Sequence, residues 1–278
     1  MTNITAAEVN KLRQITGAGI MDCKQALIES GGDSEKAIEY LRKKGQKVAN
    51  KRADRSANEG IVLAKVDEGK EFGAMIMLNC ETDFVGKTQE FIDVAKSILD
   101  LAISEKPADL EALNALKLGN ITIADKVMEM TGKTGEKIGL NNYETIQAPI
   151  VFAYNHHGNR LSSMAGFNTK DVADIDNVGH DVVMQIAAMS PVAIDRDDVP
   201  KEVVDKEIEI GKDIAIQEGK PEELAEKIAR GKLEKFFKEN TLLNQEFIKD
   251  SGITVKEYIT RSGKDLKVTA MKRLMLGA

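Results

Sequence analysis

The residues whose types and order could do chemistry lie in one short segment, Asn79 to Val85. The run from Phe72 to Cys80 before it predicts a strand, and a helical pattern begins a few residues after it. Two interpretations are open. In one, Thr82 or Asp83 caps the coming helix and Phe84 is its hydrophobic staple, which the spacing alone favours. In the other, a loop tip presents an acid and an aromatic wedge to a partner.

Two glycine-containing segments resemble parts of phosphate-binding loops, and neither has the full pattern. The segment from Gly17 to Asp22 lacks the third glycine of a dinucleotide fingerprint and follows a predicted helix instead of a strand. Gly132, Lys133 and Thr134 form only the last part of a Walker motif. The glycines at 17 and 19 therefore predict a tight turn between helices.

His156 and His157 are the remaining candidates for a metal site or a general base. Adjacent residues in a turn rarely point at one site, and no cysteine or carboxylate is spaced with them for a metal. No nucleophile elbow or Cys/His signature is present. The sequence therefore predicts a binding protein and no enzyme, with no cofactor and no metal site.

Composition and charge limit the classes of partner. The chain has 278 residues and a net charge of −6, yet residues 1–56 carry eleven Lys/Arg against seven Asp/Glu, a local charge of +4. No aromatic residues interleave with the basic run from Arg42 to Arg55, so we expect a solvated linker and no direct nucleic-acid contact. The two cysteines form no disulfide framework, and no secretory signal or membrane span is apparent, so we expect a cytoplasmic protein.

The first part of the chain predicts three short helices. Thr5 and Glu8 form a capping box for the first, Asp22 with Gln25 can cap the second, and Asp33 or Ser34 caps the third. Residues 46–58 have no stable apolar stripe. We interpret them as a linker, with a helix as the alternative.

From Gly60 onward the pattern changes to hairpins and helices, which predicts an α+β core with antiparallel strands. A first hairpin pairs 61–66 with 72–80, and helices are expected at 88–104, 108–117 and 122–133. A second hairpin, 146–154 with 160–165, is followed by a helix at 174–189. Val127 lies eight positions before a glycine, and Val255 does the same; the sequences around the two valines are similar. We therefore predict a duplicated unit of hairpin, helix, late helix and third strand.

An insertion at 200–238 predicts an antiparallel helical hairpin. Its two apolar stripes are separated by Gly219, Lys220 and Pro221, a stop followed by a proline suited to a first turn. A protruding hairpin has two faces and only one partner leg, so we expect it to meet another protein or a second copy of itself.

Two long segments resemble the signatures of the elongation factor Ts family. They run from Leu12 to Leu27, including Thr16-Gly17-Ala18-Gly19-Ile20-Met21-Asp22, and from Asn79 to Val85. Gly219-Lys220-Pro221 and the segment from Leu242 to Phe247 also resemble that family. The resemblance covers essentially the whole chain. It implies an N-terminal ubiquitin-associated-like module with a basic linker (1–56), a core in two parts (57–145, and 146–199 with 239–278) and an inserted coiled coil (200–238).

The resemblance also implies a partner and a task. The partner is elongation factor Tu, GDP-bound or nucleotide-free, and the task is to promote release of its GDP, after which GTP displaces the factor. In the family, the loop that here comprises Thr82, Asp83, Phe84 and Val85 intrudes near the partner's magnesium site. A histidine of the second hairpin turn touches another partner domain, here His156 or His157. Contacts to the nucleotide-binding domain fall here on Leu12, Arg13, Gly17, Gly19, Met21 and Lys24. A homodimer through 200–238 is the open alternative for the hairpin.

Overall fold

The computed structural model describes residues 4–277 and confirms the α+β class with antiparallel strands. The chain begins with three helices, α1 (Ala6–Thr16), α2 (Ile20–Glu29) and α3 (Ser34–Lys51). They enclose a small core of Val9, Leu12, Cys23, Ala26, Leu27 and Ala37. The predicted capping box of Thr5 and Glu8 is present, and Asp33 caps α3 through its contacts with the amides of Glu35 and Lys36.

One expectation for this region was wrong in detail, and the choice left open at 46–58 is resolved by the structure. The second helix begins at Ile20 after Gly19, and no side chain caps it, so Asp22 lies inside the first turn and pairs with Lys44 at 2.5 Å. The turn needs only glycines, because Gly17 ends α1 in the left-handed region at φ 66°. The expected linker at 46–58 is helical as far as Lys51, since α3 packs along a later helix of the core.

The first sheet has three antiparallel strands in the order β1 (Glu59–Val66), β2 (Phe72–Cys80) and β5 (Gly139–Gln147). The elements between β2 and β5 are α4 (Asp83–Gly86), α5 (Gln89–Glu105), α6 (Leu110–Ala115), the short pair β3 (Lys117–Leu118) and β4 (Ile121–Thr122), and α7 (Ile123–Thr134). All nine residues of β2 are buried. Its alternate residues therefore pack on opposite faces of the sheet.

The second sheet repeats this strand order with β6 (Ile150–Asn155), β7 (Leu161–Phe167) and β10 (Val268–Met275). The other elements of this part are α8 (Ile175–Met189), β8 (Glu246–Phe247), β9 (Asp250–Thr254) and α11 (Val255–Ser262). The prediction that Ile146 starts the second hairpin was wrong. Ile146 belongs to β5, which ends at Gln147, and Pro149 separates the two strands because it has no N–H to donate.

The two sheets pack against each other, and α5 and α8 cover their outer faces. Met75, Met77, Val151 and Met164 belong to the apolar cluster between the sheets. Alternate residues of β2, such as Ile76, belong instead to the cluster beneath α5. This four-layer arrangement holds the turns at the sheet ends on a rigid support.

The insertion is an antiparallel helical hairpin of α9 (Lys201–Gln217) and α10 (Glu222–Asn240). The helices approach closely at Gly211, where a Cβ would lie 3.0 Å from the Cα of Ala229. Ile210, Ile214, Ile216 and Leu224 are exposed. Within residues 4–277, no helix is both long and apolar enough to cross a membrane.

Candidate functional site

The segment after β2 forms a one-turn helix whose aromatic side chain faces solvent. Thr82 is the N-cap of α4, in extended conformation, and its side chain accepts from the amide of Val85 at 3.5 Å. Phe84 is 82% exposed. Thr82 therefore caps a separate one-turn helix and not the helix predicted at 88–104, and the staple interpretation was wrong about Phe84. Val85 packs inward on the core, and Thr88 caps the long helix α5.

Asp83 places a negative charge beside this exposed ring. Its carboxylate pairs with Lys87 at 2.5 Å, one turn later in the chain. The hydrogen bond from Lys87 lowers the pKa of Asp83, so the carboxylate is ionised at neutral pH. The tip of this loop therefore combines an exposed apolar ring with an ionised carboxylate.

Close backbone packing keeps the loop against the end of the sheet. A Cβ on Gly60 would lie 2.1 Å from the carbonyl oxygen of Leu78, so only glycine fits there. Gly86 packs on Gly60 and on Cys80, whose thiol donates to the carbonyl of Thr82 at 3.1 Å. Burial raises the pKa of Cys80 to about 12, so this cysteine is a structural thiol.

The turn between β6 and β7 carries both predicted histidines, and both are exposed. Nδ1 of His156 lies 2.9 Å from the hydroxyl of Tyr154, which orients this ring, whereas no such contact orients His157. The turn is anchored on the first sheet, because Asn159 accepts from the amide of Val62 at 2.8 Å. Asn155 also exchanges two hydrogen bonds with the backbone of Ala64.

The loop and the histidine turn border the same cleft. Its lining includes Asp83 and Lys87 from one side and Asn159 and Arg160 from the other. Arg160 also forms an ion pair with Glu59, the first residue of β1. Two segments that are more than 70 residues apart in sequence thus form one edge of the molecule. Arg160 and Lys87 were not among the predicted site residues, since single basic residues in a turn give no distinctive signal.

The structure separates the predicted N-terminal residues into surface and core. Arg13, Gly19, Met21 and Lys24 are exposed, with Met21 at 73%. Leu12 is only 1% exposed and belongs to the core of the module, so the prediction that it meets a partner was wrong. Gly17 is half-buried beside Lys133 and serves the turn.

Three exposed apolar residues of the module were missed from the sequence. Ile15, Ile20 and Ile28 are about half exposed (57%, 50% and 48%). Ile15 and Ile20, like Met21, lie beside the turn between α1 and α2, whereas Ile28 lies near the far end of α2. Spacing did not distinguish them from the core, because Ile15 follows Val9 and Leu12 at helical spacing and Ile20 precedes Cys23 in the same way.

No group of three or more His, Cys, Asp or Glu residues within residues 4–277 is arranged to hold a metal ion. The residues at the loop and turn edge are charged, apolar and exposed, an arrangement suited to contact with another protein.

The fold defines an α+β protein with antiparallel sheets, and comparison with known proteins gives the family. The family model described as Elongation factor TS matches residues 81–278. An elongation factor Ts of Amoebophilus asiaticus is 49% identical over 275 residues, covering 99% of each chain. That of Flavobacterium psychrophilum is 48% identical over 278 residues, covering 100% of each, and one of Porphyromonas gingivalis is 47% identical over 276 residues, covering 99% of each. The chain belongs to the elongation factor Ts family.

Proposed function

We propose that this chain is a guanine-nucleotide exchange factor for elongation factor Tu. The observation that carries the proposal is Phe84, 82% exposed beside the ionised Asp83, in a member of the elongation factor Ts family. The chain would bind its partner in the GDP-bound and nucleotide-free states. It would act by binding alone, in the cytoplasm, with no covalent step and no cofactor of its own.

The mechanism is a thermodynamic linkage between three ligands of one GTPase. GDP and Mg²⁺ stabilise each other, so a group that displaces the metal or its waters weakens the nucleotide. By reciprocity, bound nucleotide lowers the affinity of the GTPase for the exchange factor in the same ratio as the exchange factor lowers its affinity for nucleotide. Burying Phe84 in the partner would contribute up to about 2–3 kcal/mol of favourable binding free energy, which offsets the cost of distorting the partner's nucleotide site. Asp83 would disturb the polar network around the metal, and GTP would then displace the factor.

The proposed contact surface has three parts. The loop contributes Thr82, Asp83, Phe84 and Val85, with the two outward side chains at its tip. The turn contributes His156, which is the better of the two histidines because Tyr154 orients it at 2.9 Å, with His157 as the alternative. The N-terminal helices contribute Arg13, Gly19, Met21 and Lys24 together with the exposed isoleucines, and they would supply affinity by docking.

The domain organisation is proposed on the same basis. We take 1–56 as a ubiquitin-associated-like module with its linker, and 57–145 and 146–199 with 239–278 as two copies of one α+β unit. The equal strand orders of the two sheets support the duplication. Residues 200–238 form the coiled coil, whose exposed isoleucines are the surface for a possible second copy of the chain.

The proposal is tested by release of a fluorescent GDP analogue from purified elongation factor Tu. Sub-stoichiometric chain should accelerate the release, because a factor that dissociates when nucleotide rebinds acts repeatedly. Release that is unchanged at saturating chain concentration would refute the exchange function. Acceleration only at equimolar chain would indicate binding without turnover.

A further inference from the structure

The loop that presents Phe84 is held from behind by a reciprocal pair of carboxylates. Glu136 accepts from the amide of Thr82 at 3.1 Å and from its hydroxyl at 2.7 Å. In return, Glu81 accepts from the amide of Lys137 at 2.6 Å. Each segment thus gives one carboxylate to the backbone of the other.

This arrangement continues the sheet beyond its last backbone pair. In β2 and β5 the final pair is Asn79 with Gly139, so the same register would place Glu81 opposite Lys137 and Thr82 opposite Glu136. These are the pairs that the carboxylates join. Side-chain oxygens therefore replace backbone carbonyl oxygens in this extension of the hydrogen-bond ladder. The segment after β2 and the segment before β5 can then separate enough for α4 to turn outward.

Glu81 and Lys137 also connect the loop to the end of α3 and to the residues that follow it. Nη1 of Arg52 donates to both oxygens of Glu81, at 2.9 and 2.8 Å. The ammonium of Lys137 donates to the carbonyls of Ala53 and Arg55 at 2.6 and 3.0 Å. The chain leaving the N-terminal helices is therefore tied to the segment that supports the loop.

We infer that Glu136 and Glu81 are positioning residues that hold the loop from Thr82 to Val85 in the conformation that presents Phe84. We call Glu81, Thr82, Glu136 and Lys137 the clasp. Its hydrogen bonds restrict the conformations of the loop in the free chain, before a partner binds. An exposed aromatic on a preorganised loop loses less entropy on binding than one on a mobile loop. This inference rests on the proposed exchange function, and it adds the residues that make the loop effective.

Glu136→Gln tests the clasp with minimal change of shape. A carboxylate accepts hydrogen bonds from both the amide and the hydroxyl of Thr82. A glutamine side chain has only one acceptor oxygen, and its NH₂ group would face the second Thr82 donor. Glu144→Gln is the matched control, because Glu144 lies in β5, pairs with Lys272 at 2.6 Å and does not belong to the clasp.

The first measurement uses the free chain and needs no partner. Hydrogen exchange of the Thr82 amide should be about tenfold faster in Glu136→Gln and unchanged in Glu144→Gln. The chain contains no tryptophan, so Phe84→Trp supplies a single fluorescent reporter at the tip. Its anisotropy should fall when Glu136→Gln is added. Unchanged amide exchange and anisotropy would overturn the inference, whatever the chain does to elongation factor Tu.

The second measurement is stimulated GDP release per folded molecule. Glu136→Gln should raise the chain concentration needed for half-maximal release by about three- to tenfold. The effect should shrink in a Phe84→Ala background, because the two residues then no longer act together. An equal loss in both backgrounds, or a looser loop with normal release, would overturn the positioning role. If the wild-type chain does not accelerate release, the proposed function fails, and the free-chain data still decide whether the clasp orders the loop.

Discussion

Phe84 and Phe91 lie seven residues apart in sequence and have opposite environments. Phe84 is 82% exposed at the loop tip, whereas Phe91 is 1% exposed on the buried face of α5. Burial of an aromatic ring stabilises the folded state through the apolar area removed from water, and an exposed ring contributes little of this. Phe91 therefore contributes to the stability of the core, whereas Phe84 leaves its apolar surface available for another molecule.

Truncating each phenylalanine should have unequal effects on stability. We expect Phe84→Ala to change the free energy of unfolding by no more than about 0.5 kcal/mol, as for other surface substitutions. Phe91→Ala should cost about 3–5 kcal/mol, because it leaves a cavity. Denaturant unfolding of both variants checks this. A comparable loss in the two would show that Phe84 packs on its own chain.

Glu81 should make stability depend on pH in the acid range. The hydrogen bond from the Lys137 amide, followed by that from Arg52, lowers the pKa of Glu81 in the folded chain. A lowered folded pKa gives stability that is full above the unfolded value of about 4.3 and is lost as pH falls through the folded value. Wild type should therefore exceed Glu81→Gln in stability at pH 7 and lose much of that advantage near pH 3. A difference that stays constant in unfolding curves across this range would contradict the ionic role.

At the scale of elements, helix crossings depend on glycines as much as on apolar stripes. Gly45 of α3 and Gly132 of α7 face each other, and a Cβ on Gly132 would lie 3.0 Å from the Cα of Gly45. This contact brings the N-terminal helices against the core. It was invisible in the sequence, where the expected linker at 46–58 began just after Gly45.

Alanine at two helical glycines should have opposite effects. Alanine favours helix over glycine by about 1 kcal/mol, and Gly231 of α10 has open space, so Gly231→Ala should stabilise the chain. Gly132→Ala gains the same propensity but forces α3 away from α7, so we expect net destabilisation and faster proteolysis near residues 46–58. Thermal unfolding and limited proteolysis compare them, and equal stabilisation would mean that the crossing tolerates a methyl group.

The helical hairpin should be removable without loss of exchange. Its base packs through Val199, Val203 and Phe237, so the cut should leave this cluster in place. Replacing residues 208–232 with a short Gly/Ser loop should keep the circular dichroism of the core and normal stimulated GDP release. A large loss of release with the fold intact would show that the hairpin contacts the partner or builds an obligatory dimer.

At the scale of the whole molecule, local signals predicted more than contacts between distant segments. The hairpins, the helix at 174–189 and the stop at Gly219 are encoded in short patterns and were predicted well. Leu12 was misassigned because its family role was carried over, although its helical spacing from Val9 already indicated a place in the module core. The support of Thr82 by Glu136 joins residues 54 positions apart, and nothing near either residue indicates the other.

The candidate site was predictable as two segments and not as one edge. The loop and the histidine turn each stood out in sequence, but their shared cleft arises from the packing of two sheets, anchored where Asn159 bonds to Val62 at 2.8 Å. Sheet-on-sheet packing depends on the summed apolar faces of both sheets. No single pattern in the chain specifies it.

The most direct test of the account is GDP release from elongation factor Tu, with wild type, Phe84→Ala and Ile248→Ala measured side by side. Ile248 is 43% exposed and lies outside the proposed contact surface, so it controls for loss of an exposed apolar side chain. Sub-stoichiometric wild type should accelerate GDP release, and Ile248→Ala should accelerate it equally. Phe84→Ala should give at least about tenfold less acceleration, with an unchanged melting temperature. Equal acceleration by all three would contradict the role of the loop, and no acceleration by any would contradict the exchange function itself.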